Sequence, residues 1–323
     1  MTQIAFVFPG QGSQSVGMGR TLAERSPEAA AVFAAADEAL GEPLSRLAWE
    51  GPEEDLNRTE NAQPALLAAS IAYLEAVRAR WAELEVDIPE PAFAAGHSMG
   101  QYTALVAAGA LDLADAVRLV RTRGHLMQSS GGGEGRMAAL IGLDEDRLPE
   151  LVEQASGFGV FGVANRNSPG QVVVSGERAA VDAALRIAKE LGAKRALELP
   201  VSVAAHSPLM AQAAAGMADA LAGITFRDPR PPLLANADAQ LIETADACRT
   251  ELVAHLTTGV DWVGAIQAMR RRGVTTFIEV GPGQVLTGLI KRIAPDTLAL
   301  ALDDRAAPDR LAIPFASTAG VGE

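Results

Sequence analysis

The segment Gly96-His97-Ser98-Met99-Gly100 has the form G-x-S-x-G. The weakly apolar Phe93-Ala94-Ala95 precedes it and a helix-prone run, Tyr102 to Ala108, follows. That is the strand, sharp turn and helix context in which a serine hydroxyl is exposed as a nucleophile. Glycines two residues to either side leave room for a cramped backbone. The helix start adds free N–H groups and a positive dipole end beside the serine. The plainer alternative is a glycine-bordered turn in which Ser98 only caps a helix.

A serine nucleophile needs a base. Of the four histidines, His97 adjoins Ser98 and is expected to point away across the turn. His125 lies among helical arginines, and His255 reads as a half-buried residue of an amphipathic helix. His206 follows Leu199 to Ala205, a segment that leaves one unit of the chain and re-enters another, and clefts between units commonly hold substrate. Position therefore favours His206. No acid between Ser98 and His206 stands out, and a backbone carbonyl can orient the imidazole in its place. Arg123, next to Gly124, can reach the same cleft and grip a carboxylated acyl group through two parallel hydrogen bonds. Its plainer alternative is a solvated helix arginine. The loop Pro9 to Gln14 is glycine-rich but lacks the dinucleotide spacing, because the glycines after Gly12 fall at Gly17 and Gly19. Backbone N–H groups facing an oxyanion suit it better.

The elements that must carry these groups follow from hydrophobic period. Ile4 to Phe8 reads as a buried strand. Leu22 to Leu40 and Gln63 to Trp81 read as helices, with Pro64 in the first turn of the second, and Pro89 and Pro91 break the chain before the serine turn. Leu113 to Met127 is a further helix, and Ser129 to Gly135 reads as a linker. Beyond it the order is β-α-β-β-α-β: strands near 137–143, 160–164, 171–175 and 194–199, helices near 145–155 and 178–191. Helices then begin at Ser207, around Leu252 and at Trp262, with strands at 232–235 and 275–280 and a last helix through Ile293. The expected class is α/β: a large unit with a parallel sheet core, 1–130 and 205–305, and a small inserted ferredoxin-like unit, 131–204. Residues 306–323, rich in Ala, Pro and Gly, read as a loose tail.

Composition sets bounds. The 323 residues are 49% apolar but only 4% aromatic, so alanine and the aliphatics must do the packing. A net charge of -13 argues against nonspecific binding to nucleic acid or anionic membrane. The single cysteine, Cys248, excludes an intramolecular disulfide and a multi-cysteine metal site. No basic leader and no apolar run of roughly 18 residues is present, so the expectation is a cytoplasmic protein without a membrane span.

Several of these pieces recur in one order in the malonyl-CoA:acyl carrier protein transacylases, which the chain resembles to about residue 302. They are Phe8 to Gln14, Gly96 to Gly100, Arg123-Gly124 with Met127-Gln128, Asn165 with Asn167 to Gln171, Pro200 to Ser202 with His206-Ser207, and Glu279 to Gly283. The resemblance implies a hydrolase-like large unit and a ferredoxin-like small one. It implies Ser98 as nucleophile, His206 as base, Arg123 on the malonyl carboxylate, and the N–H groups of Gln11 and Met99 as oxyanion hole. Gln63 would lie near the acyl group, and Asn165 and Asn236 match polar positions around the site. The carbonyl orienting the histidine aligns with His255, where the family usually has Gln. A second departure is Gln101, where the family usually has Glu, which removes a charge next to the site. The activity implied is ping-pong malonyl transfer from malonyl-CoA to the phosphopantetheine thiol of acyl carrier protein, in fatty-acid synthesis, by a monomer without metal or bound cofactor. The alternatives are a freestanding acyltransferase serving a polyketide synthase and a thioester hydrolase. An acidic carrier requires a local basic patch, for which Lys189, Lys194, Arg195, Lys291 and Arg292 are candidates.

Overall fold

Ile4 to Phe8 is buried along its whole length, as a strand covered on both faces of a parallel sheet must be. The computed structural model describes residues 3–85, 90–130, 135–201 and 203–302. Pro89, Ser202, most of the expected linker and the expected tail lie outside these. The strands are β1 (Gln3–Phe8), β2 (Phe93–Gly96), β3 (Gly135–Ile141), β4 (Phe161–Ser168), β5 (Gln171–Glu177), β6 (Arg195–Glu198), β7 (Leu233–Leu234), β8 (Leu241–Ile242), β9 (Val260–Asp261), β10 (Val274–Val280) and β11 (Leu298–Leu302).

They form two sheets. The first has the order β11-β10-β1-β2-β7-β8, with β1 parallel to both neighbours and only the edge pair β7 and β8 antiparallel. Phe8 pairs with Gly96, so the loops leaving β1 and β2 emerge side by side at the carboxyl ends of adjacent parallel strands. That edge is where open α/β sheets form their crevices. The second sheet has the order β6-β3-β5-β4-β9. Its first four strands pair antiparallel, and the helices Leu148–Ser156 and Arg178–Glu190 fall between them in the chain. The fold is thus a mixed α/β arrangement.

The helix Thr59–Glu83 is buried nearly all round, with Leu66, Leu67, Ala68 and Ala69 at 0% exposure. It starts four residues before the expected Gln63, which leaves Pro64 inside the helix rather than in its first turn. Arg58 already accepts helical hydrogen bonds from Asn61 and Ala62, so the chain is committed before the proline. The expected helix 22–40 is divided at Ser26, whose hydroxyl caps Pro27–Leu40 by accepting from the Ala29 N–H. No element was expected at β8, β9 or β11. β9 joins the second sheet parallel to β4 although it follows the helix Ala245–Thr258 of the larger part of the chain.

Candidate active site

Ser98 sits on the turn between β2 and the helix Gly100–Ala107 at φ 54°, in the left-handed region that costs a non-glycine residue about 1–3 kcal/mol. The glycines of the motif make this turn possible. A Cβ on Gly96 would lie 1.9 Å from the Gly100 carbonyl carbon, and one on Gly100 2.3 Å from the Phe8 carbonyl oxygen. The side chain of Asn236 braces the turn from outside. Its Oδ1 accepts from the Ser98 N–H at 2.8 Å and its Nδ2 donates to the Gly96 carbonyl at 2.9 Å. The Asn236 N–H in turn donates to the buried Glu251 carboxyl, which burial pushes up to about 7.

Ser98 Oγ lies 2.9 Å from His206 Nε2. The other ring nitrogen, Nδ1, is 2.6 Å from the His255 carbonyl oxygen. A carbonyl only accepts, so Nδ1 carries the proton and Nε2 presents its lone pair to the serine. Burial first, and then the charge of Arg123, push the His206 imidazole down to about 3. A ring so placed can take the serine proton without being protonated from solvent beforehand. His97, by contrast, is engaged elsewhere: its Nε2 is 2.9 Å from Asn167 Oδ1, on the lining of the cleft that Ser98 also borders, and its ring lies edge-on to Trp262.

Arg123 is 1% exposed, not a solvated helix arginine. Its helix, Leu113–Ser129, approaches Thr59–Glu83 so closely at Gly124 that a Cβ there would lie 2.5 Å from Glu60 Cα. The approach lets Arg123 Nη1 donate to Gln63 Oε1 at 2.8 Å. Nη2 donates to Ser98 Oγ at 3.1 Å and meets His255 Nε2 at 3.4 Å, while Nε has no partner. Among the described residues no carboxylate lies within ion-pair range of this guanidinium. A buried cation without a counter-ion is costly unless an anion arrives, and Arg123 borders the space beside Ser98.

That space is a cleft of about 790 Å³, lined among others by Gln11, Ser98 and Arg123 from one sheet region and Met137, Asn165 and Val173 from the second sheet. The N–H groups of Gln11 and Met99 find no acceptor among the described residues. Gln63, Asn236 and His255 are buried and stand behind the wall, touching Arg123 or the turn. Gln101 also faces away from the cleft. Its Oε1 accepts from the Gly96 N–H at 3.0 Å and its Nε2 donates to the Leu234 carbonyl at 2.9 Å, so it staples β2 to β7. His255 is fully buried rather than half-buried. Reasoning from sequence missed Glu251, which lies in a helical run of mixed polarity with nothing to single it out. The five candidate basic residues are exposed, and Arg292 donates to the cleft-lining Gln171 at 3.0 Å. Among the described residues no cluster able to hold a metal ion occurs, and no helix is long and apolar enough to cross a membrane.

A hydroxyl, a neutral imidazole, the unpaired N–H of Gln11 and a buried cation around one cleft can perform acyl transfer through a serine ester. The chain belongs to the acyl transferase domain family, which matches residues 5–300. It is 47% identical over 305 residues to the malonyl CoA-acyl carrier protein transacylase of Escherichia coli strain K12, covering 94% of this chain and 97% of that one. The acyl-carrier-protein S-malonyltransferase of Bartonella henselae superposes with a TM-score of 0.93 at 42% identity, over 98% of this chain and 100% of that one. A malonyl-transacylase solved with its type II PKS acyl-carrier protein superposes with a TM-score of 0.91 at 42% identity, over 97% and 100%.

Proposed function

We propose that this chain transfers a malonyl group from malonyl-CoA to the phosphopantetheine thiol of an acyl carrier protein, through an ester on Ser98. The buried Arg123, without a carboxylate partner among the described residues and 3.1 Å from Ser98 Oγ, is the observation that carries the reading. His206 Nε2 takes the hydroxyl proton as Ser98 Oγ attacks the thioester carbonyl. The resulting oxyanion rests on the Gln11 and Met99 N–H groups, interactions worth about 10²–10³-fold each in such sites. His206 then gives its proton to the departing CoA sulfur. The carrier thiol attacks the malonyl ester by the reverse route, and Ser98 recovers its proton from His206. Arg123 holds the malonyl carboxylate through paired hydrogen bonds, with Gln63 keeping the guanidinium in place and Asn165 offering a polar wall opposite.

We read residues 1–130 with 205–305 as a hydrolase-like unit and 131–204 as a ferredoxin-like one, which the β6-β3-β5-β4 order with two intervening helices supports. β9 is then a loan from the first unit to the sheet of the second. Each step uses groups of one chain, so the reaction asks for no metal, no bound cofactor and no second subunit. A monomer in the cytoplasm, where CoA thioesters and carrier proteins meet, is the setting this implies.

The similarity to a transacylase that serves a polyketide carrier supports a second reading, the same chemistry with a different carrier. Turnover against carriers of both kinds separates the two. The test of the main reading is Arg123→Ala. Malonyl transfer should fall on the order of 10²-fold, as expected for a lost charge-assisted pair, while acetyl transfer changes little. Equal loss for both acyl groups would contradict the role of Arg123.

A further inference from the structure

The carbonyl of His255 orients the base, but its imidazole has work of its own. The ring is fully buried, and its Nδ1 lies 2.9 Å from the Glu251 carbonyl one turn earlier. That acceptor fixes the proton on Nδ1 and leaves the lone pair on Nε2. The lone pair meets Arg123 Nη2 at 3.4 Å, while Gln63 Oε1 accepts from Nη1 at 2.8 Å. The guanidinium is therefore held at both ends by neutral acceptors. The other ionisable groups around the ring are His206, with ring centroids 5.9 Å apart, His97, and the Glu251 carboxyl 3.8 Å from Nδ1 on the side away from Arg123.

We propose that the His255 imidazole is a positioning residue that sets the plane of the Arg123 guanidinium and thereby the preference for carboxylated over uncharged acyl groups. Two parallel hydrogen bonds to a carboxylate demand a fixed guanidinium plane. Neutrality of the acceptors is the essential property. A carboxylate at position 255 would pair with Arg123 and compete with the substrate, whereas an imidazole lone pair orients the cation and leaves its charge available. The inference rests on Arg123 gripping the acyl carboxylate.

The test compares His255→Ala, His255→Asn and His255→Gln, with Arg123→Ala alongside, for kcat and KM with malonyl-CoA and acetyl-CoA. All three keep the main-chain carbonyl that orients His206, so acetyl transfer reports on the base. A glutamine amide reaches about as far as Nε2, whereas an asparagine amide reaches only as far as Nδ1. The Asn and Gln variants thus differ by reach at equal polarity, and this pair carries the test if the Ala variant fails to fold. His255→Asn and His255→Ala should lower the ratio of malonyl to acetyl kcat/KM about tenfold, mainly through KM for malonyl-CoA. His255→Gln should restore most of the malonyl activity. An unchanged malonyl-to-acetyl ratio in Asn and Ala, or equal loss of both activities in all three, would overturn the proposal. If Arg123→Ala leaves the ratio unchanged, the reading of Arg123 itself fails. If Arg123→Ala lowers the ratio and His255→Asn does not, only the inference about the ring fails.

Discussion

Ser98 and His206 both occupy the left-handed region, at φ 54° and φ 60°, and neither is a glycine. The conformations persist because the surroundings over-determine them: Asn236 holds the serine N–H and the His255 carbonyl holds the imidazole. The His206 ring, pushed down to about 3 by burial and then by Arg123, stays neutral well below the ordinary histidine value of 6.5. Acylation of Ser98 should accordingly run unchanged as pH falls through 6.5 and fail only in stronger acid. In Arg123→Ala one cause of the depression is gone, so the acid limb for acetyl-CoA should move upward toward 6.5. Single-turnover acylation against pH checks this, and an acid limb near the ordinary value in both proteins would contradict it. The meeting of Ser98 and His206 was legible because the G-x-S-x-G turn singles out one serine and the chain offers only four histidines, whereas Arg123, one of many cations, was singled out only by the family resemblance. The burial of Arg123 was not legible, since it comes from a helix crossing that only Gly124 hinted at.

At the scale of elements, the turn carrying Ser98 is secured to its neighbours by side-chain amides. Gln101 bridges the Gly96 N–H of β2 and the Leu234 carbonyl of β7, and it is fully buried. An amide fits because it offers one acceptor and one donor. Gln101→Glu removes the donor and sets a carboxyl oxygen against the Leu234 carbonyl, at a cost of about 1–3 kcal/mol. Thermal unfolding should register that loss while the rate of Ser98 acylation stays near wild type, because the side chain does not reach the cleft. A collapse of acylation without loss of stability would show that residue 101 acts on the chemistry instead. Most long elements were legible from their apolar period, including the helix Trp262–Arg271, which starts at the expected residue. The two-residue strands β7, β8 and β9 are too short to show a period, and β8 and β9 went unread. Residues 20–80 read as helical overall, and between Gly41 and Asn57 that reading resolves into two short helices, Leu44–Glu50 and Glu53–Leu56, each introduced by a proline.

For the whole molecule, a net charge of -13 would have to coexist with the acidic carrier that the proposed function expects. Of the exposed basic residues, Arg292 is tied to Gln171 on the cleft wall. Arg292→Glu should raise KM for the carrier several-fold in low salt, and the difference should shrink as salt screens it. Labelling by malonyl-CoA alone should not change, and a matching loss in both half-reactions would remove Arg292 from the docking surface. The cleft itself is assembled from both sheets, and β9 beside Asn165 links the second sheet to the helix that supplies His255. The proposed function has the site carry an acyl group on one oxygen, so the most direct measurement is peptide mass mapping after incubation with malonyl-CoA. A malonyl group on the peptide containing Ser98, absent in Ser98→Ala and discharged on addition of a phosphopantetheine-bearing carrier, is the predicted result. Malonyl on another residue, or transfer to the carrier that proceeds undiminished in Ser98→Ala, would contradict the account.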